Sequence, residues 1–555
     1  MSLQLILGAS GSGKTRYLYE NLIRQSMEEP LVQYIAIVPE QFTMQTQKEI
    51  VNLHPDHGTM NIDIVSFQRL AYRVFEELAV GYPEVLDDMG KSMVLRKVAS
   101  EEKKNLRIFS GHLNQTGFIN QLKSMLSELY QYGISPEELK EAIVQTKSPL
   151  LQEKLKDLLI IYETFQKEIS EKYITAEEIL DVLCRVLPNS KRIKNSVVTL
   201  DGYTGFTPVQ YRLLELLMVH AKKVIVTVTV DPKENPYKEA KIQNLFHMSK
   251  QMVCHLEKVC KSQKIARDND ISMQETRRFL GSPAISFIEK HLYRFTSAQY
   301  QNEPQEIEIF EAGTPAQEID AVAARIHSLV QNENIRYREI AVITGDLAGY
   351  GYEIVNRFRT ENIPYFMDDK KSILQNVMVE FIRGALEIMQ RDFDYESMFR
   401  FLKTGLVSSE KEKIDRLENY VIAMGIRGYK RWNQTWEHSY RGGKDINLQE
   451  LNEFRQEILS KLEGLKTVMS QKEKTVKSMT AAVVACLEEC QVQQQLEAYQ
   501  EYFEQVGEYS LAKEYEQVYE LVIQMFDRLV HLLGKEHISR KEYSQILDAG
   551  FGEIT

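Results

Sequence analysis

Long apolar runs are missing from this 555-residue chain. No stretch of about 18 uncharged apolar residues occurs, which excludes a helical membrane span. The first residues run straight into an apolar strand pattern, so no secretory signal is expected. Cysteine is scarce, five in all, and none forms a CxxC pair. That argues against a zinc ribbon or a disulfide scaffold and reads as reduced thiols in a cytoplasmic protein. Cys486 and Cys490 sit one helical turn apart, a spacing that could suit a metal. No further Cys or His lies nearby in sequence to complete a site, and core packing is the plainer reading. An excess of positive charge is missing too. With 68 basic against 79 acidic residues the net charge is −11. This excludes a general electrostatic scavenger of nucleic acid, but not a channel lined locally with Lys and Arg. No internal repeat and no low-complexity linker longer than a few residues interrupts the chain.

What the chain does contain is ordinary for a globular protein, 43% hydrophobic and 26% charged residues, over a length that implies about three or four domains. One motif stands out at its start. Gly8-Ala9-Ser10-Gly11-Ser12-Gly13-Lys14-Thr15 matches the phosphate-binding pattern G-x-x-x-x-G-K-[ST]. The apolar run Leu3–Leu7 precedes it as a buried strand should, and Leu18, Leu22 and Ile23 follow at helical spacing. Strand, glycine loop and helix together let backbone N–H groups curl around phosphate oxygens at a helix N-terminus. Lys14 would reach the β- and γ-phosphates and the Thr15 hydroxyl would hold Mg²⁺. The expected ligand is a nucleoside triphosphate, ATP, with Mg²⁺.

Strand and helix patterns alternate over 1–90, with apolar runs at Tyr34–Val38 and Ile62–Phe67. Such alternation implies a parallel sheet with ligands at the carboxyl ends of its strands. Residues 91–190 read as a helical insertion without strand signals, and 191–235 return to the first α/β domain through Ser196–Leu200 and Lys223–Val230. A helical connector is expected over 236–305. A second α/β domain is expected over 306–371, with strands at Glu306–Phe310 and Ile340–Thr344. A second helical insertion over 372–533 precedes a return to that domain over 534–555, which ends without a closing strand, so the second sheet is expected to be truncated.

This organisation resembles the superfamily 1 (UvrD-like) helicases, and local sequence agrees. Ser66-Phe67-Gln68-Arg69-Leu70-Ala71 is similar to the family's segment that touches single-stranded DNA. Asp201-Gly202-Tyr203-Thr204-Gly205-Phe206-Thr207-Pro208-Val209-Gln210 is similar to its D-E-x-Q-D-x-x-x-x-Q segment, and Ala341–Gly345 with Ile363-Pro364-Tyr365 to its second-domain A-V-L-x-R…I-P-Y. Together with Val38-Pro39-Glu40-Gln41-Phe42-Thr43, the match is closest to the B subunits of AddAB-type helicase–nucleases, and it runs over the whole chain as the N-terminal half of such a subunit. The resemblance implies an α/β P-loop NTPase fold with two RecA-like domains, each carrying a helical insertion. It implies a heterodimer with an AddA-type helicase–nuclease subunit, action on double-strand DNA ends for homologous recombination, and reading of a hotspot on the single strand. The nuclease domain and the four-cysteine iron–sulfur cluster of such subunits belong to their later half, and none of those residues carries over here.

Asp201 follows an apolar strand, where a Mg²⁺ ligand is expected; the alternative is a carboxylate capping the next turn. The position after it, a catalytic Glu in superfamily 1 motors, is Gly202, which cannot take a proton. The arginine expected after the second-domain strand is Gly345, and only seven residues precede Gly8, little room for an adenine-reading motif. ATP is therefore expected to bind, with slow or absent turnover at this site. For DNA, Gln41, Phe42 and Thr43 and then Ser66, Phe67 and Arg69 are the candidates, pairing rings for stacking with a guanidinium for phosphate. Phe42 and Phe67 could equally be core residues. Arg427–Trp432 could meet DNA or form a solvated loop with one anchored Trp, and Asp368-Asp369 reads as a charged turn before Lys370-Lys371. Two other functions compete: a nucleotide-responsive DNA-scanning scaffold without catalysis, and a P-loop kinase, which would need no second α/β domain.

Overall fold

The computed structural model describes all residues except 82–83, 114–116, 170–172, 295, 369–371, 441–446 and 555. Asp369, Lys370 and Lys371, read above as part of a charged turn, lie outside the described residues. The chain divides into two compact units, Met1–Val80 with Leu183–Lys370, and Gly81–Val182 with Lys371–Thr555.

The first unit is built on a parallel sheet. In chain order it contains β1 (Ser2–Gly8), α1 (Lys14–Glu28), β2 (Gln33–Ile37), α2 (Thr43–Leu53), β3 (Ile62–Val65), α3 (Phe67–Leu78), β4 (Ser196–Leu200), α4 (Pro208–His220), β5 (Lys223–Thr229), α5 (His247–Gln263), β6 (Ala266–Arg267), β7 (Ile271–Met273), α6 (Pro283–His291), α7 (Pro315–Asn332) and α8 (Leu347–Thr360). The strand order is β3-β2-β4-β5-β1-β6, with β7 also paired to β1, and all pairings are parallel. Strands buried on both faces are mostly apolar; β4 (Ser-Val-Val-Thr-Leu) is buried at every position, the Ser196 hydroxyl donating to the Ile193 carbonyl. Leu18 and Leu22 of α1 and Ile50 of α2 pack on Ile6, Tyr34, Ala36, Val197 and Ile225 from four strands. Each such aliphatic side chain contributes about 1.5–3 kcal/mol on burial. In α3, Phe67, Leu70, Ala71, Val74 and Phe75 form one buried stripe, and Ser66 caps the helix by accepting from the Arg69 N–H at 3.3 Å.

Two expectations for this unit need correction. The 236–305 stretch is not a helical connector alone, because β6 and β7 add to the sheet beside β1. In the 306–371 stretch, α7 and α8 form and share a small core of Ile319, Ala323, Ile326, Ile354 and Phe358. The expected strands Glu306–Phe310 and Ile340–Thr344 do not, among the described residues. Their apolar composition suits a strand, but a ladder needs a neighbour to satisfy its N–H and C=O groups. Here Ile309 and Ile343 are 93% and 92% exposed instead.

The second unit is helical. One core gathers Phe381, Phe401, Trp432, Phe526 and Tyr543, and another Val98, Leu122, Ile161 and Phe165. A two-stranded parallel pair, Glu84–Leu86 with Tyr173–Thr175, interrupts a stretch expected to lack strands. The 534–555 stretch, expected to return to the second α/β domain, forms a helix (Arg540–Phe551) that packs within this helical unit. Lys123 and Ser92 donate to Glu553 there at 2.5 and 2.7 Å. Cys486 and Cys490 are buried in the first core. No helix among the described residues is long and apolar enough to cross a membrane.

Candidate nucleotide and DNA site

A parallel sheet turns the carboxyl ends of its strands to one edge. The phosphate loop follows β1 there, the Glu40–Phe42 turn follows β2, Ser66 follows β3 and Asp201 follows β4. Gly11 and Gly13 have φ of +76° and +89°, the left-handed region that favours glycine. A Cβ on Gly11 would also stand 2.7 Å from the Cβ of Arg278. Between them the loop closes so tightly that the Lys14 ammonium donates to the Gly8 and Ala9 carbonyls at 3.0 and 2.8 Å.

Lys14 is only 8% exposed. Burial lowers its pKa to about 8; Asp201 opposes that shift, Arg278 adds to it, and Glu289 opposes it. The Ser12 hydroxyl is buried with no hydrogen-bond partner. A buried ammonium held only by carbonyls and an orphaned hydroxyl fit a phosphate group, which would satisfy both.

Asp201 is the other half of the site. Its Oδ1 accepts from Thr15 Oγ1 at 3.2 Å and from Thr227 Oγ1 of β5 at 2.5 Å, and its Oδ2 accepts from the Tyr19 hydroxyl at 3.2 Å. The carboxylate thus faces the phosphate loop. It does not cap the helix that follows, whose cap is Thr207. Among the described residues no group of three or more His, Cys, Asp or Glu could hold a metal unaided. Thr15 and Asp201 suit a cation that takes its remaining oxygens from phosphate. Gly202 has φ +82° and packs on Pro39, so the position beside Asp201 is a left-handed turn that disfavours a side chain.

Sequence reasoning missed the segment after β7. Residues Arg277–Phe279 form a 3₁₀ turn over the loop, where the Arg278 N–H donates to the Gly11 carbonyl at 3.1 Å. The Arg277-Arg278 pair was the available signal, but its approach depends on β7 pairing with β1 as far as Gly8↔Met273.

The six DNA candidates divide. Gln41, Phe42 (43% exposed) and Arg69 are at the surface, and Arg69 pairs with Glu40 at 3.0 Å. Thr43 is buried and its hydroxyl donates to the Glu40 carbonyl. Ser66 is buried as a helix cap. Phe67 is 5% exposed and lies under Tyr203 and Phe206, with ring centroids 5.4 and 6.1 Å away. Those two half-exposed rings, also unforeseen, bring aromatic surface to the same edge. Trp432 is fully buried, its carbonyl accepting from Arg455, so in the Arg427–Trp432 segment the tryptophan is an anchor.

A family profile described as ADDB, N-terminal, matches residues 5–289, and one described as UvrD-like helicase C-terminal domain matches residues 276–547. Curated relatives named as the B subunits of ATP-dependent helicase/deoxyribonucleases resemble the whole chain. The protein from Lachnoclostridium phytofermentans is 40% identical over 562 residues, covering 100% of this chain and 49% of its own. That from Clostridium novyi is 32% identical over 99% of this chain and 48% of its own. That from Caldanaerobacter subterraneus subsp. tengcongensis is 33% identical over 100% and 48%. The chain spans about half the length of the curated relatives it matches. With the phosphate loop, Asp201 and the aromatic edge on one parallel sheet, the chain belongs to the AddB family of helicase/deoxyribonuclease B subunits.

Proposed function

We propose that this chain is the ATP- and DNA-binding part of a subunit in a heterodimeric helicase–nuclease, paired with an AddA-type subunit. The complex processes double-strand DNA breaks for homologous recombination, and this subunit scans the single strand for a recombination hotspot. The 306–371 stretch is the beginning of a second RecA-like domain. Lys14, Ser12 and the loop amides would hold the triphosphate, and Thr15 and Asp201 would hold Mg²⁺ with it. Bound Mg²⁺ supplies charge neutralisation at the β- and γ-oxygens. Gln41, Phe42 and Arg69, with Tyr203 and Phe206 behind them, offer stacking and phosphate contacts to a single strand.

The observation that carries the nucleotide half is the convergence of Lys14, Thr15 and Asp201 on one loop. The position after Asp201 carries no base, because it is a glycine held left-handed. ATP at this site is therefore bound and turned over slowly or not at all, and the partner subunit supplies the motor. The test is Lys14→Ala in the complete two-subunit complex. Unwinding is expected to persist while nucleotide-dependent pausing at the hotspot changes. Full loss of unwinding would make this loop a motor site and refute the proposal.

A further inference from the structure

We propose that Tyr19 is a positioning residue that couples occupancy of the phosphate site to the DNA-facing turn at Gln41–Phe42. The inference rests on the function proposed above and goes beyond it by naming a connection. Tyr19 lies on α1, five residues after Lys14, and is 2% exposed. Its hydroxyl reaches two groups, Asp201 Oδ2 at 3.2 Å and Thr46 Oγ1 at 3.3 Å. Thr46 belongs to the first turns of α2 and is buried. The Glu40–Phe42 turn leads directly into that helix and is tied to it by the Thr43 hydroxyl, which donates to the Glu40 carbonyl at 2.9 Å.

The direction of the chain of hydroxyls follows from charge. A carboxylate can only accept, so the single proton of Tyr19 goes to Asp201. A phenol is protonated at neutral pH, so that proton is available to the bond. The tyrosine oxygen is then an acceptor for the Thr46 O–H. Both contacts are longer than a typical O–H···O bond, and the charge of the carboxylate orients and polarises the chain. Thr15 and Asp201, if they shared a cation with the phosphates, would have the charge at the end of this chain partly neutralised. Asp201 would then hold Tyr19, and Tyr19 the start of α2, less tightly. Phe42, four residues before Thr46, is exposed at the other end.

Coupling between two sites is usually worth 5- to about 150-fold in affinity. The measurement is the affinity of the full-length two-subunit complex for a fluorescent oligo(dT) strand, with and without Mg²⁺ and a non-hydrolysable ATP analogue. The part of the nucleotide effect that Lys14→Ala abolishes belongs to this site. In the wild type that part is expected to be at least about fivefold. Thr46→Val touches neither Asp201 nor the loop. It is expected to keep nucleotide affinity but lose the Lys14-dependent effect on DNA affinity. Tyr19→Phe, which keeps the ring, is expected to lose it equally, and the double variant to lose no more. Hydrogen exchange of residues 40–46 gives a second readout, with a nucleotide-dependent loss of protection in the wild type that vanishes in both variants. A merely structural Tyr19 would lower thermal stability and leave the ratio intact. Retention of the full ratio in Thr46→Val and Tyr19→Phe overturns the inference. A wild-type complex that binds both ligands through this subunit without coupling overturns it alone. Absence of Lys14-dependent nucleotide binding overturns the proposed function itself.

Discussion

Replacing Lys14 by methionine separates what this side chain costs the empty protein from what it does for a ligand. The variant keeps an unbranched stem in the same space and removes the charge. Burial is the main reason the ammonium's pKa falls from 10.5 to about 8, a displacement equivalent to about 3 kcal/mol against the charged form. The hydrogen bonds to the Gly8 and Ala9 carbonyls are forfeited in the variant and leave two carbonyls to be satisfied by water, at about 1–3 kcal/mol together. The nucleotide-free α/β unit of Lys14→Met should therefore be up to about 2 kcal/mol more stable than wild type at pH 7. The sign of the pH dependence is fixed. The folded lysine holds its proton less tightly than the unfolded one, so the unfolded chain binds more protons between about pH 8 and 10.5. Wild-type stability then rises with pH relative to the variant, and the gap closes across that window. Both tryptophans, Trp432 and Trp436, lie in the helical unit, so intrinsic fluorescence does not report the α/β unit. Native-state hydrogen exchange of β1 and α1 amides does. A gap that stays constant from pH 7 to 10, or a variant less stable than wild type at pH 7, refutes the reasoning. Nucleotide affinity should fall as pH rises through about 8, because the bound phosphate favours the protonated lysine.

Asp201→Asn should keep the fold, since its one amide oxygen can accept from Thr227 while its NH₂ donates to the Tyr19 oxygen, but abolish the Mg²⁺-dependent part of nucleotide affinity, read by calorimetry with and without the metal. Gly11→Ala must adopt φ +76° and push its Cβ against Arg278, costing about 1–3 kcal/mol; nucleotide binding should be lost while the helical unit melts unchanged. Phe42→Ala and Phe67→Ala should dissociate two roles. The exposed Phe42 should cost about 1–3 kcal/mol of single-strand affinity with little effect on stability. The buried Phe67 should cost about 3–5 kcal/mol of stability, and equal effects in both assays would contradict the exposures of the two rings.

The phosphate loop is legible from sequence because its chemistry is local. Eight consecutive residues fix the turn, the lysine and the hydroxyl, and the flanking apolar periods fix the strand and helix. The strands β1, β2, β4 and β5 are legible for a related reason, since a strand buried on both faces has little choice but to be mostly apolar, and β3, at the sheet edge, still carries three aliphatic residues in four. Beyond that range local signals fail. Ala266–Arg267 and Ile271–Met273 are too short to carry a period, and only their pairing with β1 makes them strands. Glu306–Phe310 and Ile340–Thr344 carry the composition of strands, yet composition cannot supply a hydrogen-bonded neighbour. Arg278 reaches Gly11 across more than half of the unit's sequence, a closeness created by sheet order. Sequence placed the six candidates offered for DNA at strand ends, where the sheet carries them, but could not say which side chains face outward. The Thr43 and Ser66 hydroxyls are consumed locally, one by the Glu40 carbonyl and one by the cap of α3, a use that sequence cannot distinguish from ligand contact.

Asp201 and Gly202 show how one edge can keep binding chemistry without the next step. Asp201 needs only the end of β4 and its neighbours: Thr15 from the loop, Thr227 from β5 and Tyr19 from α1 all point at it because the sheet order brings those elements together. These are structural partners as much as ligands, so the carboxylate is retained by the fold even with no nucleotide bound. The following residue is under no such demand. At φ +82°, with Pro39 3.4 Å from the place of its Cβ, it serves the turn that carries Tyr203 and Phe206 over Phe67. A carboxylate at 202 would strain that turn and displace the aromatic surface it supports. The backbone that suits the aromatic edge is therefore the one that excludes a base beside Asp201. In this chain the aromatic turn and a carboxylate beside Asp201 compete for one residue, and glycine decides for the turn.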